Sequence, residues 1–142
     1  MLQENNIKLS IIIPVYNEES FLTKLFEQIE NYFNYNNIEV IIVDDGSNDK
    51  STEIIKNYKV NNNFKFLFKS IRLDINSGKG KAIQTGIKNS SGEYLLLQDA
   101  DLELDTKDAH EMYQMVLNNS EIKCLFGSRY SSGKLKKNNY FF

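Results

Sequence analysis

The feature that most constrains this chain is an alternation of short apolar runs with longer segments of helical spacing, sustained along almost its whole length. The apolar runs are Leu9 to Pro14, Val40 to Val43, Phe64 to Ile71, Tyr94 to Leu97 and Cys124 to Phe126. Short and bounded by polar or turn residues, they read as buried strands. The clearest intervening segment places Phe21, Leu22, Leu25, Phe26, Ile29 and Phe33 on one helical face, the pattern of a helix with one buried stripe. Further helices are expected over Ser51–Asn61, Gly80–Asn89 and Thr106–Leu117, the last with Thr106 as N-cap. The order β-α-β-α-β-α-β-α-β predicts an α/β fold, a mostly parallel sheet with helices on both faces. Ligands of such sheets bind at the carboxyl ends of the strands, so chemistry is expected in the loops that follow them.

A length of 142 residues with 41% hydrophobic content fits one domain with one sizeable core. Nineteen acidic against 17 basic side chains leave a net charge of −2, without the basic excess that nucleic-acid binding calls for. One cysteine, Cys124, makes neither an intramolecular disulfide nor a zinc cluster. That favours a reducing, cytoplasmic setting, and Cys124 reads as a small buried strand residue. The longest apolar runs are about five residues, against the roughly 20 needed to span a bilayer. His110, mid-helix, reads as a surface residue. The basic, aromatic tail from Lys134 to Phe142 reads as an unpacked end that can touch an anionic membrane surface. Oligomeric state is left open.

Each loop after a strand carries residues with two readings. Pro14-Val15-Tyr16-Asn17-Glu18-Glu19 offers an aromatic ring to lie against a base and a carboxylate to accept from base or ribose. It is equally a strand terminator followed by an acidic first helical turn. Asp44-Asp45-Gly46-Ser47 sets two adjacent carboxylates at a strand end, where they repel and need donors, a cation or solvation. A ribose or base supplies donors; so does a turn with Ser47 or Asp49 capping the next helix. Asn76-Ser77-Gly78-Lys79-Gly80-Lys81 leads into a helix with glycines for close approach and lysines, Lys79 first, for an anion. It lacks the Walker spacing and is also an ordinary flexible turn.

The most informative segment is Gln98-Asp99-Ala100-Asp101-Leu102-Glu103, where a buried strand runs directly into Asp-x-Asp. Carboxylates two residues apart can project to the same side. Such clustered oxygens suit a hard octahedral cation, Mg²⁺ or Mn²⁺, bridging them to a diphosphate. The competing reading is an acidic loop capping the next helix, with Asp105 and Asp108. After the last apolar run, Gly127-Ser128-Arg129-Tyr130 presents one of only two arginines, suited to a phosphate or to a surface salt bridge.

Taken together, P-V-Y-N-E-E, D-D-G-S, N-S-G-K-G-K-A, Q-D-A-D-L-E and G-S-R-Y resemble, in order and spacing, the family 2 glycosyltransferases of the GT-A fold. Within that family the chain is similar to the polyprenyl-phosphate (dolichyl-phosphate) mannosyl- or glucosyltransferases, from Leu9 to about Phe142. The resemblance implies a Rossmann-like nucleotide-diphospho-sugar transferase fold and a nucleotide-sugar donor of GDP-mannose or UDP-glucose type. It implies that Pro14, Tyr16, Glu18, Val43 and Asp45 contact base and ribose. Lys79 joins the donor contacts, while Asp99, Ala100 and Asp101 meet the diphosphate and its metal, with Glu103 as a further metal ligand. Arg129 is implied to hold phosphate and, with Asp101, to serve the transfer itself. An inverting transfer to a polyprenyl phosphate needs no protein base, because that acceptor is already anionic. Related proteins continue beyond the residue that matches Phe142, so an incomplete domain with its donor site retained and transfer impaired is expected. The competing functions are a nucleotide-sugar-binding module without turnover and a sugar-phosphate nucleotidyltransferase; the latter usually has a glycine-rich basic loop after the first strand, absent here.

Overall fold

The computed structural model describes residues 6–61, 63–131 and 134–141, with side chains for 6–60 and 63–127. In chain order the elements are β1 (Leu9–Val15), α1 (Leu22–Phe33), β2 (Ile38–Asp44), α2 (Ser51–Asn61) and β3 (Leu67–Arg72). They continue with α3 (Lys79–Lys88), β4 (Tyr94–Leu97), α4 (Thr106–Asn118), β5 (Phe126–Ser131) and β6 (Lys134–Phe141). Strands β1 to β4 form one parallel sheet in the order β3-β2-β1-β4. The central pair, β1 and β2, is buried almost throughout, which is why both read as unbroken apolar runs and not as alternating ones.

The two faces of the sheet carry unequal cover. Leu9, Ile11, Ile13, Val15, Ile38, Val40 and Ile42 join one large core with α1, α2 and α4. Into it α1 turns Leu22, Leu25, Phe26, Ile29 and Phe33, the stripe its spacing predicts. On the other face Ile41 and Val43 pack on Ala82 of α3. Helices on both faces are thus as expected. Contact with α3 is close at Gly86, where a Cβ would come within 2.4 Å of Cγ2 of the buried Ile12. Gly86→Ala gains helix propensity but overpacks that contact, and a net loss of about 1–2 kcal/mol is expected in chemical denaturation.

At the amino end of the sheet a buried carboxylate ties the strands together. Glu39, fully enclosed within β2, accepts from Ser10 Oγ at 2.6 Å, Lys69 Nζ at 2.6 Å, and the backbone N–H and hydroxyl of Ser91. Burial alone would raise its pKa, but these donors outweigh it and hold the carboxyl below the ordinary glutamate range. Because the folded-state value is depressed, its contribution is present above the unfolded pKa and is lost as pH falls through the folded one. Glu39→Gln is therefore expected to cost about 1–3 kcal/mol at pH 7. That gap to the parent should narrow in acid, as read from denaturant midpoints across pH.

Several expectations need correction. The fifth apolar run does not add a strand to the parallel sheet: β5 begins only at Phe126 and pairs antiparallel with β6 in a separate two-stranded sheet. Cys124 to Phe126 is a three-residue run, too short to be buried on both faces, and Phe126 is 69% exposed. A hairpin partner adjacent in sequence satisfies the backbone more directly than insertion beside β4. Cys124 is accordingly exposed and off the strand, and the tail from Lys134 to Phe141 forms β6 instead of an unpacked end. The cap of α4 is Asp105, whose side chain accepts from Lys107 N; Thr106 is the first helical residue, buried, its hydroxyl donating to Gln28 at 2.9 Å. His110 is half-buried among Tyr32, Phe33 and Tyr35 and is not a free surface side chain. Among the described residues no helix is long and apolar enough to cross a membrane.

Candidate functional site

The loops after β1 and β2 are stitched into one unit by reciprocal bonds. Asn17 N donates to Ser47 Oγ at 3.0 Å, Glu18 N to Ser51 Oγ at 2.9 Å, and Asn48 N returns to Asn17 Oδ1 at 2.8 Å. Asn17 takes a left-handed φ of 56° to make this exchange, a conformation asparagine tolerates well. Glu19 and Asp49 belong to the same stitching: Lys50 N donates to Glu19, and Asp49 accepts from Glu19 N and from Ser51 N, the start of α2. Glu19 is thus structural, whereas Tyr16 and Glu18 line a cleft of about 390 Å³.

The adjacent aspartates divide their work because successive residues at a strand end point to opposite sides. Asp44 turns away from the cleft and accepts from Arg72 Nη1 at 2.6 Å, from Ser47 N at 2.9 Å and from the Thr52 hydroxyl. Burial would raise its pKa, yet these donors hold it below the ordinary aspartate range. Asp45, 3% exposed, reaches across to the loop after β3, where its two oxygens accept from Ser77 N and Gly78 N, each at 2.8 Å. Gly46, at φ 73°, allows that approach; a Cβ there would sit 2.8 Å from Asn76 N. Asp45 is therefore the latch that sets the position of the Asn76–Gly80 loop.

The fourth loop follows β4. Gln98, buried, donates from Nε2 to the carbonyls of Asp99 and Leu104 and closes the turn around Asp99-Ala100-Asp101. Leu102 adopts φ 62°, costly for a leucine, and its packing against the main core offsets that strain. Asp101 Oδ1 accepts from Glu103 N at 3.0 Å, and Lys79 Nζ lies 2.6 Å from Asp99 Oδ1. Burial, then the charges of Asp101, Asp49 and Asp99, push the Glu18 carboxyl above its ordinary value.

Most of the residues expected at a site line this one cleft: Pro14, Tyr16, Glu18, Asp45, Lys79, Asp99, Ala100 and Asp101. Val43 does not; its side chain is buried against Ala82 on the α3 face. Glu103 is exposed and is not gathered with Asp99 and Asp101, since no three-residue metal-ligating group occurs among the described residues. Arg129 is on β5, but its side chain lies outside the described residues. Sequence reasoning missed Arg72, Thr52 and Gln98, which position the site without lining it. The register that sets Arg72 opposite Asp44 is the signal that could have found the first.

Charge balance indicates what the cleft can hold. Four carboxylates, those of Glu18, Asp45, Asp99 and Asp101, line it against one ammonium, Lys79. A diphosphate entering alone would meet like charge, each pair about 4 Å apart costing about 4 kcal/mol at an effective dielectric near 20. The hard carboxylate oxygens of Asp99 and Asp101 have the chemistry that suits a hard divalent cation, which would offset that repulsion. Among the described residues no group of three or more such ligands forms.

Residues 10–140 match the family described as Glycosyl transferase family 2. The chain belongs to that family. It is 34% identical over 127 residues to a dolichol-phosphate mannosyltransferase of Pyrococcus furiosus, covering 89% of itself and 34% of that relative. Among solved structures it is similar to S. aureus TarS in complex with UDP-GlcNAc, with a TM-score of 0.68, 28% identity and coverage of 80% and 32% of the two chains. A mannosyltransferase from Pyrobaculum calidifontis, solved with GDP-Man and Mn²⁺, shares the fold at a TM-score of 0.67 and 20% identity, over 77% and 32% of the two chains. The four-stranded parallel sheet and its flanking helices are thus those of a GT-A glycosyltransferase. The chain spans about a third of the length of each of these proteins.

Proposed function

We propose that the cleft binds a nucleotide-diphosphate sugar, of GDP-mannose or UDP-glucose type, for inverting transfer to a polyprenyl phosphate. One observation carries this reading: four separate loops after strands, those of β1, β2, β3 and β4, contribute Tyr16, Asp45, Lys79 and Asp99 to a single cleft. Similarity to the dolichol-phosphate mannosyltransferase supports the acceptor class.

In this reading Pro14 and Tyr16 pack on the base, and Glu18 accepts from ribose. Asp45 retains lone pairs beyond the two used by Ser77 and Gly78, and so can accept from base or ribose while holding the loop. Val43 contributes through its backbone only. Asp99 and Asp101 would hold Mg²⁺ or Mn²⁺, with Glu103 as a further candidate ligand, and Ala100 would lie beside the diphosphate. When bound, such an ion supplies Lewis-acid stabilisation of charge on the departing nucleoside diphosphate. Arg129 holds phosphate, and Lys79 helps to neutralise it. The acceptor phosphate attacks without a protein base. Reaction with a lipid-linked phosphate places the working protein at a membrane surface on the cytoplasmic side.

The test is release of nucleoside diphosphate from GDP-mannose and UDP-glucose, with Mn²⁺, in the presence and absence of a short polyprenyl phosphate. Acceptor-dependent release supports the reading. Donor binding without release indicates a binding module, and pyrophosphate formed from a nucleoside triphosphate and a sugar phosphate indicates nucleotidyl transfer.

A further inference from the structure

Lys79 occupies an unusual place: its ammonium is 2.6 Å from Oδ1 of Asp99, a carboxylate that would serve as a metal ligand in the reading above. Two cations beside one carboxylate repel each other, so a divalent cation at Asp99 would compete with the Lys79 ammonium for it. The pair is also easy to open. Its side chains are 60% and 26% exposed, so it is worth little in water. Lys79 is the first residue of α3, after Gly78 at φ 92°. Its flexible stem lets the head swing while the loop beneath stays latched to Asp45.

The same latch gives the ammonium a second task. The N–H groups of Ser77 and Gly78, which stand just before the helix and are natural donors to an anion, are already engaged by Asp45. Lys79 is the only ammonium lining the cleft among the described residues, facing four carboxylates.

We propose that Lys79 is a resident counter-cation, exchanged for the incoming metal: it neutralises Asp99 in the free protein and moves onto the diphosphate when metal and nucleotide bind. This rests on the donor-site reading above. Exchange couples the two ligands, because metal binding frees the group that then receives the nucleotide, and by linkage each tightens the other.

The test compares the full chain with Lys79→Gln and Lys79→Arg. Mn²⁺ binding is read by electron paramagnetic resonance without nucleotide, and GDP and UDP binding by calorimetry at saturating Mn²⁺. Without nucleotide, K79Q is expected to bind Mn²⁺ roughly three- to fivefold more tightly than the parent. With Mn²⁺ saturating, it should bind the preferred nucleotide roughly five- to tenfold more weakly, while K79R stays near the parent in both. Unchanged or weaker Mn²⁺ binding by K79Q would overturn the exchange, as would unchanged nucleotide binding. If the parent binds both ligands and K79Q behaves identically, only the exchange fails. If a folded parent binds neither, the donor-site reading fails and the exchange with it.

Discussion

Replacing Asp99 and Asp101 together by alanine is expected to abolish metal-dependent nucleoside-diphosphate binding, weakening it by at least about 100-fold, which corresponds to about 2.7 kcal/mol. Two of the four cleft carboxylates disappear, and with them the hard oxygens that would hold the cation against the diphosphate. The thermal transition should scarcely move. Asp99 and Asp101 are partly exposed, their principal contacts being the accessible pair to Lys79 and one bond from Glu103 N, neither of which supports the core. Any residual binding should be insensitive to Mn²⁺, because the contacts proposed to base and ribose would not involve the metal. Calorimetry with and without Mn²⁺ separates the two contributions. Loss of metal dependence with retention of folding would assign the loop to ligand binding and not to capping of α4, a task that Asp105 performs by itself.

Asp45→Ala should do comparable damage by a different route. It removes a buried carboxylate and leaves the N–H groups of Ser77 and Gly78 without their acceptor. Two charge-assisted bonds to backbone are lost, and a destabilisation of about 3 kcal/mol follows. Asp45→Asn keeps one acceptor and should fall between the parent and Asp45→Ala. Because the Asn76–Gly80 loop carries Lys79, its release also loosens the cleft wall opposite Asp99. Nucleotide affinity should then fall by more than ten-fold, about 1.4 kcal/mol, at temperatures where the variant remains folded. Hydrogen exchange offers the most discriminating readout: the amides of Ser77 and Gly78 should lose protection in Asp45→Ala while those of β1 keep theirs. If those two amides exchange rapidly in the parent as well, Asp45 is not a latch.

Much of this arrangement was legible because the signals are local. Ile11-Ile12-Ile13 and Val40-Ile41-Ile42-Val43 announce buried central strands, and the stripe from Leu22 to Phe33 announces the helix that covers them. Four of the five quoted motifs follow strands of the parallel sheet, so the topology itself gathers them at the carboxyl ends. What escaped depends on pairing across the chain. Asp44 and Asp45 look alike in sequence, yet strand alternation sends one to Arg72 and the other to Ser77 and Gly78. Glu39, set within an apolar strand, advertises a buried partner without naming Lys69, Ser10 or Ser91. The fate of Cys124 to Phe126 turned on a choice between the edge of β4 and a hairpin with β6, and a three-residue apolar run contains too little to decide it. The contact of Lys79 with Asp99 is likewise invisible until α3 and β4 are placed beside each other.

The most direct test of the account is calorimetric titration of residues 1–142 with GDP and with UDP, each in the presence and absence of Mn²⁺. Binding of one nucleotide that requires Mn²⁺ is the predicted result, and the preferred base would then narrow the sugar. A folded chain that binds neither nucleotide, or binds one equally well without the ion, would contradict the assignment of this cleft as a metal-assisted donor site.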